Sequence, residues 1–80
     1  MKPGKVILIT GATSGFGRTA SGMLSAAGHT VYGTGRSVQE GTRDDGVRML
    51  RRDVTVPSSI DEAVGKIIAA EGRIDVLVNN

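Results

Sequence analysis

The chain contains the stretch Thr10-Gly11-Ala12-Thr13-Ser14-Gly15-Phe16-Gly17, which directly follows the apolar run Val6-Ile7-Leu8-Ile9. A buried strand that enters a glycine-rich turn and then a helix is a typical binding site for a dinucleotide pyrophosphate. The glycines let the chain turn sharply, let backbone N–H groups approach the phosphates, and let the helix pack close to the sheet. The start of the helix adds unpaired N–H donors and a partial positive charge. The stretch therefore predicts an α/β fold that binds a dinucleotide.

The spacing of the glycines excludes two other phosphate loops. The glycines are residues 11, 15 and 17, whereas the general fingerprint G-x-G-x-x-G would need glycines in place of Thr13 and Phe16. A Walker A loop ends in Gly-Lys-Ser/Thr, and here Gly17 is followed by Arg18. Neither pattern fits this chain.

The pattern Thr-Gly-x-x-x-Gly-x-Gly resembles the short-chain dehydrogenase/reductase family in its classical form. Three further matches follow in order, at the ends of later predicted strands: Gly35-Arg36, Arg52-Asp53-Val54-Thr55, and Asp75-Val76-Leu77-Val78-Asn79-Asn80. The resemblance covers essentially all 80 residues and corresponds to the first, cofactor-binding part of the family's fold. The family's proton-donating tyrosine, its lysine and its serine belong to the later half, so the resemblance implies no catalytic residue in this chain.

Composition and charge exclude several other classes of protein. Eighty residues make one small domain, which we take as 1–80. With no cysteine there is neither a disulfide framework nor a thiolate metal site, and the single His29 stands alone. A net charge of +2 and two aromatic residues argue against nucleic acid, and the longest apolar run is too short to span a membrane. We therefore expect a cytoplasmic protein that binds no metal, nucleic acid or membrane.

Hydrophobic patterning predicts four strands, at residues 6–10, 30–35, 47–52 and 74–78. The polar segment 37–46 is predicted to be a loop or one helical turn. The element order favours a Rossmann-type parallel sheet with strand order 3-2-1-4, the first half of a doubly wound fold.

Two helices connect these strands. The first is predicted to start at Gly17, to end before Gly28, and to bury one face made of Ala20, Met23, Leu24 and Ala27. The second is predicted to start at a capping box formed by Ser59 and Glu62. Its apolar face is predicted to consist of Ile60, Ala63, Val64, Ile67 and Ile68.

The end of the second strand indicates which cofactor is bound. An NAD-binding protein has a carboxylate there for the ribose 2′-hydroxyl, whereas this chain has Gly35 followed by Arg36. A guanidinium can hold a 2′-phosphate through two parallel N–H bonds. We therefore predict NADP(H) rather than NAD(H), with hydroxyl contacts from Ser14, Thr34 and Ser37. The alternative for Arg36 is an ordinary surface arginine after a strand.

The resemblance implies roles for the remaining cofactor residues. Asp53 would accept a hydrogen bond from the adenine amino group, and the adjoining Asp53-Val54 backbone would donate one to the ring. Asn79 would run beside the adenosine ribose. The alternative for Asp53 and Asn79 is that they are only turn-forming residues at strand ends. The predicted cofactor site consists of Gly11, Thr13, Ser14, Gly15, Phe16, Gly17, Thr34, Arg36, Ser37, Asp53, Val54 and Asn79.

Two functions remain open from the sequence. In the first, the chain is the NADP(H)-binding part of an oxidoreductase that transfers hydride between the nicotinamide and a carbonyl or alcohol substrate. The small-molecule substrate site and the homo-oligomer contacts would then belong to the full-length protein. In the second, the chain is a non-catalytic nucleotide-binding module, or a truncated remnant, that acts through a partner. An encoded Ala-Gly and a later Tyr-x-x-x-Lys beyond Asn80 would favour the enzyme, and a stop codon there would favour the module.

The isolated 80-residue chain is predicted to be poorly stable and catalytically inactive. Its last strand would leave an unpaired edge with apolar residues at 76–78, and such edges promote aggregation. We expect urea to unfold the isolated chain at low concentration or without a sharp transition. A cooperative transition at several molar urea would contradict this prediction.

Overall fold

The computed structural model describes residues 4–80. Its elements are β1 (Val6–Thr10), α1 (Gly15–Ala26), β2 (Thr30–Gly35), β3 (Gly41–Thr42), β4 (Arg48–Arg51), α2 (Pro57–Glu71) and β5 (Val76–Asn79). They form one sheet of order β3-β4-β2-β1-β5, in which every neighbouring pair is parallel except β3 with β4. The predicted Rossmann-type α/β class is confirmed, as is the order of the four predicted parallel strands.

Strand β1 lies inside the sheet and is buried on both faces. Val6 and Leu8 pack with Tyr32 and Ile67 in one apolar cluster. Ile7 and Ile9 belong to a second cluster, together with Val31, Val47 and Met49. Alternate side chains of a strand point to opposite faces, so the unbroken apolar run supplies both cores, as a strand covered on both sides requires.

The segment between β2 and β4 differs from its prediction. Gly41 and Thr42 form a short strand that pairs antiparallel with β4, where a loop or one helical turn was expected. The turn between these strands contains Gly46 at φ 88°, a left-handed conformation that suits glycine. The sheet therefore has five strands, and a β-hairpin stands in the crossover where many doubly wound folds have a helix.

Helix α1 packs through only part of the predicted face: Leu24 packs against the second apolar cluster, whereas Met23 and Ala27 are exposed. It begins at Gly15, and its buried residues are Gly17 and Ser21, whereas Met23 is 68% exposed. A Cβ atom on Gly17 would overlap the Gly11 carbonyl oxygen. Because the helix lies this close to the end of β1, its smallest residues take the buried positions, and the prediction for Met23 was wrong.

Helix α2 starts two residues before the predicted capping box. Pro57 occupies the first turn, Val56 is the N-cap, and no side chain caps the helix. The fixed φ of proline suits the first helical position, so Ser59 lies inside the helix. Its Oγ instead accepts a hydrogen bond from the Asp53 N–H at 3.1 Å. The predicted Ser59–Glu62 capping box is therefore absent.

The predicted apolar face of α2 is largely confirmed. Ala63 and Ile67 are fully buried, and Val64 packs against the same cluster. Ile68 is 44% exposed, because it lies at the margin of the face that contacts the sheet. Within residues 4–80, no helix is both long enough and apolar enough to cross a membrane.

Strand β5 forms the outer edge next to β1. Its register is fixed at Asp75, whose Oδ2 accepts hydrogen bonds from the Val6 N–H at 2.7 Å and from Arg73 Nε at 2.8 Å. These bonds, with that from Val6 the larger cause, hold the pKa of Asp75 below its ordinary value. Leu77 is 57% exposed on this edge and Val76 is 37% exposed, as predicted, whereas Val78, which was also predicted to be exposed, packs against the second cluster.

Two glycine substitutions test how the sheet is packed. A Cβ on Gly33 would lie 2.6 Å from Ala12 Cβ and 3.1 Å from Met49 Sδ, whereas a Cβ on Gly65 of α2 meets nothing within 4 Å. Gly33→Ala should lower the free energy of unfolding by about 1–3 kcal/mol through overpacking. Gly65→Ala, the matched control, should raise it by about 0.5–1 kcal/mol. Urea unfolding of the natural protein that carries this sequence measures both, and equal effects would contradict the packing described.

Candidate functional site

A cleft of about 320 Å³ opens at the carboxyl ends of β1, β2 and β4. Ligands of open α/β sheets bind outside the carboxyl ends of the strands. The residues that line it are Gly11, Thr13, Thr34, Gly35, Arg36, Arg52, Asp53, Val54 and Thr55. Three separate segments of the chain thus meet at one edge of the sheet.

Six of the twelve predicted site residues line this cleft: Gly11, Thr13, Thr34, Arg36, Asp53 and Val54. Four more continue from the same loop into the first turn of α1: Ser14, Gly15, Phe16 and Gly17. Ser37 is exposed beyond the end of β2 and does not line the cleft, and neither does Asn79. The sequence therefore located the loop and the two strand ends that form the cleft, but not every side chain.

The glycine-rich loop, residues 11–15, is held by the end of β2. Gly11 and Gly15 have φ values of 65° and 57°, a region in which other residues are strained. The Gly11 N–H donates to Thr34 Oγ1 at 3.3 Å, and the Ala12 N–H donates to the Thr34 carbonyl at 3.0 Å. Thr34 is buried, and its hydroxyl anchors the loop. The sequence had predicted only that this hydroxyl contacts the phosphate.

The start of α1 is open to an anion. Its N-cap, Ser14, has an extended backbone, and no side chain caps the first N–H groups of the helix. The first turn has no acidic residue. Neither a carboxylate nor a hydroxyl of the described residues therefore occupies the N–H groups that a ligand would bind. These N–H donors and the helix dipole favour a negatively charged group at the mouth of the glycine-rich loop.

Arg36 is a cation on the wall of the cleft. Within residues 4–80, its guanidinium makes neither a hydrogen bond nor an ion pair, and its side chain is exposed. Asp53 feels its charge: the pKa of Asp53 lies below its ordinary value, chiefly through hydrogen bonds from Thr55 and to a smaller degree through Arg36. An unpaired guanidinium beside a cleft is ready to bind a phosphate.

Asp53 forms a tight turn with Thr55. Its Oδ1 accepts hydrogen bonds from the Thr55 N–H at 3.0 Å and from Thr55 Oγ1 at 2.6 Å. Asp53 therefore forms a turn at the strand end, and its predicted contact with adenine stays a prediction. Its Oδ2 makes no hydrogen bond within the described part of the chain and remains an acceptor on the cleft wall.

Sequence reasoning missed three residues of the cleft. Arg52 was part of the Arg52-Asp53-Val54-Thr55 match but not assigned to the site; its side chain is only 15% exposed and pairs with Glu40 at 3.0 Å. Glu40 lies in the segment between β2 and β4, and nothing in the sequence next to Arg52 indicates that the two side chains pair. Thr55 could have been found from the Asp-x-Thr spacing, which favours such a turn. Gly35 could have been found as a close approach, because a Cβ there would lie 2.6 Å from Thr13 Cγ2.

The two asparagines at residues 79 and 80 contact the end of β1 and the start of the loop from the side opposite β2. The Thr10 hydroxyl donates to Asn79 Oδ1 at 3.1 Å and accepts from the Asn80 N–H at 3.1 Å. Asn80 Nδ2 donates to the Gly11 carbonyl at 3.0 Å. Asn79 therefore supports the end of β1, and Asn80, outside the predicted site, is the asparagine that touches the glycine-rich loop.

Comparison with known proteins agrees with this geometry. The family model described as short chain dehydrogenase matches residues 5–80. The chain is 52% identical over its whole length to a 3-ketodihydrosphingosine reductase from Bacteroides thetaiotaomicron, of which it covers 29%. It is 36% identical to the NADP-dependent 3-hydroxy acid dehydrogenase YdfG of Shigella flexneri, over 94% of this chain and 32% of that protein.

A solved structure shows the same fold. The crystal structure of the NADH-dependent reductase A1-R′ complexed with NAD superposes with a TM-score of 0.81 at 29% identity, covering 96% of this chain and 36% of the other. The chain thus spans about a third of the length of the proteins that it matches.

The turn at Asp53 gives a test of the site's electrostatics. Thr55→Val removes the hydroxyl that donates to Asp53 Oδ1, so the depressed pKa of Asp53 should rise toward its ordinary value. Thr55→Ser keeps a hydroxyl and is the matched control. A carbon-13 NMR titration of the Asp53 carboxyl group measures the change. An unchanged pKa in the valine variant would contradict the assigned cause.

Proposed function

The chain belongs to the short-chain dehydrogenase family, and from this premise we propose that it is the NADP(H)-binding part of an oxidoreductase. The reaction is hydride transfer between the cofactor's nicotinamide and a carbonyl or alcohol substrate. The observation that carries the choice of NADP(H) is Arg36, directly after a glycine at the end of β2, whose guanidinium is left without an ion pair by residues 4–80.

The donors and acceptors around the cleft fit such a cofactor. The first N–H groups of α1, left without a side-chain cap, suit the pyrophosphate. Arg36 suits the 2′-phosphate, to which it can donate two parallel bonds. Asp53 Oδ2 suits the amino group of adenine, because an ionised carboxylate only accepts hydrogen bonds.

The shape of the loop fits as well. Gly17 has no room for a side chain beside the Gly11 carbonyl and Asn80, which lets the helix start approach the loop. A Cβ on Gly15 would meet nothing within 4 Å, so the backbone on that side is open to a ligand. The cleft of about 320 Å³ lies within the range of small-molecule sites.

The choice between the two nicotinamide cofactors depends on one position. The matched relatives include proteins named for each cofactor, so membership in the family leaves both open. A carboxylate at the end of β2 would accept a bond from a 2′-hydroxyl and repel a 2′-phosphate. Gly35 and Arg36 provide no such carboxylate, which supports NADP(H).

For the rest of the reaction we propose groups other than the cleft residues described here. When bound, the nicotinamide would supply or accept the hydride. The cleft residues described here would bind and orient the cofactor. We propose a small-molecule carbonyl or alcohol substrate, a cytoplasmic location and homo-oligomer formation for the natural protein.

Charge reversal at Arg36 tests the proposed cofactor. Arg36→Asp should weaken NADPH binding by about 1.5–3 kcal/mol, the range for hydrogen bonds to a charged group, and should leave NADH binding nearly unchanged. Lys5→Asp, an exposed site before β1 at the opposite ends of the strands, makes the same change of charge as a control. Calorimetric titration of the natural protein with each cofactor measures the effects. Equal losses for NADPH and NADH would overturn the assignment.

A further inference from the structure

We propose that Arg43 is a positioning residue for the glycine-rich loop, an inference that rests on the proposed function. Arg43 lies in the hairpin turn between β3 and β4 and does not line the cleft. Its guanidinium reaches back to the loop and to α1. It thereby sets the conformation in which the loop presents its N–H groups to the cofactor pyrophosphate.

The contacts of the guanidinium connect three parts of the chain. Arg43 Nη1 donates to the Ala12 carbonyl at 2.7 Å, inside the glycine-rich loop. Arg43 Nη2 donates to Ser21 Oγ at 2.9 Å, on the buried face of α1. Asp45 holds the same guanidinium through both of its oxygens, at 3.0 and 2.7 Å. The loop, the helix and the hairpin are therefore joined through one side chain.

This arrangement is more than a surface ion pair. The Arg43 side chain is only 15% exposed, and exposed pairs contribute little because water screens them. The hydrogen bond from Arg43 is the larger cause that holds the pKa of Asp45 below its ordinary value. A planar fork of donors fits several acceptors in fixed directions, which a lysine ammonium does not reproduce.

The backbone of the turn is fixed in the same place. The Arg43 N–H donates to the Val47 carbonyl at 2.8 Å, and the Gly46 N–H donates to the Arg43 carbonyl at 2.9 Å. Asp45 Oδ1 also accepts from the Val47 N–H at 3.2 Å. The guanidinium therefore extends from a hydrogen-bonded turn, and in this proposal its position sets where the Ala12 carbonyl lies.

Helix α1 has small residues where the turn approaches it. A Cβ on Gly22 would lie 2.9 Å from Asp45 Oδ2, and a Cβ on Gly46 would lie 2.6 Å from Ser25 Oγ. The hairpin turn thus packs directly on α1, in a crossover without a helix. The presence of Ser21, Gly22 and Ser25 along α1 is explained by this contact.

The location of Arg43 predicts an effect on one half of the cofactor. Ala12 stands between Gly11 and Thr13, which line the cleft. It precedes Ser14, the N-cap of α1, by two residues and is therefore next to the expected position of the pyrophosphate. The 2′-phosphate would be held by Arg36, on a different segment. Loss of Arg43 should therefore weaken ligands that contain a pyrophosphate and spare adenosine 2′-monophosphate, which has none.

The test uses the natural protein that carries this sequence, titrated with NADPH and with adenosine 2′-monophosphate. Arg43→Ala should weaken NADPH binding by about tenfold or more, as loss of bonds from a charged donor implies, and should change the affinity for adenosine 2′-monophosphate by less than about twofold. Asp45→Asn, which keeps the side-chain shape, should give a smaller change in the same direction and serves if the alanine variant fails to fold.

Two variants provide reference patterns. Arg48→Ala removes an ion pair of 3.0 Å with Glu71 from the same hairpin, remote from the loop, and should leave both affinities unchanged. Arg36→Asp should weaken both ligands, because each has a 2′-phosphate.

Three outcomes would overturn the proposal for Arg43. NADPH affinity could be unchanged in the Arg43 and Asp45 variants. Both ligands could be weakened equally with a lower melting temperature, which would indicate general destabilisation. If the unmodified protein bound NADPH not at all, the proposed function would fail together with this inference, a result distinct from failure of the Arg43 variants alone.

Discussion

The structure depends on the close approach of helix α1 to the end of strand β1. At that point Gly17 faces the Gly11 carbonyl with no room for a side chain between them. The short distance brings the open N–H groups of the helix to the mouth of the loop, on a helix whose buried residues are Gly17 and Ser21 and whose Met23 is exposed. One missing side chain thus determines both the packing of α1 and the position of its anion-binding end.

The glycine-rich loop is held from three directions. Thr34 binds the Gly11 N–H and Ala12 N–H from β2, Asn80 binds the Gly11 carbonyl from β5, and Arg43 binds the Ala12 carbonyl from the β3–β4 turn. Glycine at 11 and 15 gives the loop its positive φ values but also adds backbone freedom. Bonds from three neighbouring segments restrict that freedom, and a loop ordered before binding loses less entropy when a cofactor arrives.

The parts of the fold that arise from local chemistry were predictable from the sequence. The apolar run at 6–9 predicted a strand buried on both faces, and the glycines at 11, 15 and 17 predicted the turn into α1. Strand β3 was not predictable, because two residues become a strand only through pairing with β4. The exposure of Met23 was missed because helical periodicity predicts burial from hydrophobicity alone. Where α1 lies close to β1, only small side chains fit at the buried positions.

The site was predictable to a similar degree and for similar reasons. Residues identified by their position after a strand, such as Arg36 and Asp53, do line the cleft. Arg52 was missed because its burial depends on Glu40, twelve residues earlier in the crossover. Asn79 Oδ1 accepts a hydrogen bond from the Thr10 hydroxyl because β5 pairs with β1, a contact that the sequence did not indicate, and the cofactor contact of Asn79 stays a prediction. These contacts arise from tertiary structure, which a single sequence does not display.

The central claim is that the carboxyl ends of β1, β2 and β4 bind NADP(H). Amide chemical-shift mapping of the isotopically labelled natural protein, titrated with NADPH, tests it most directly. The account predicts saturable shifts that are largest at residues 11–17, 35–37 and 53–55. Absence of saturable shifts, or largest shifts at the amino ends of the strands around Lys5 and Thr30, would contradict it.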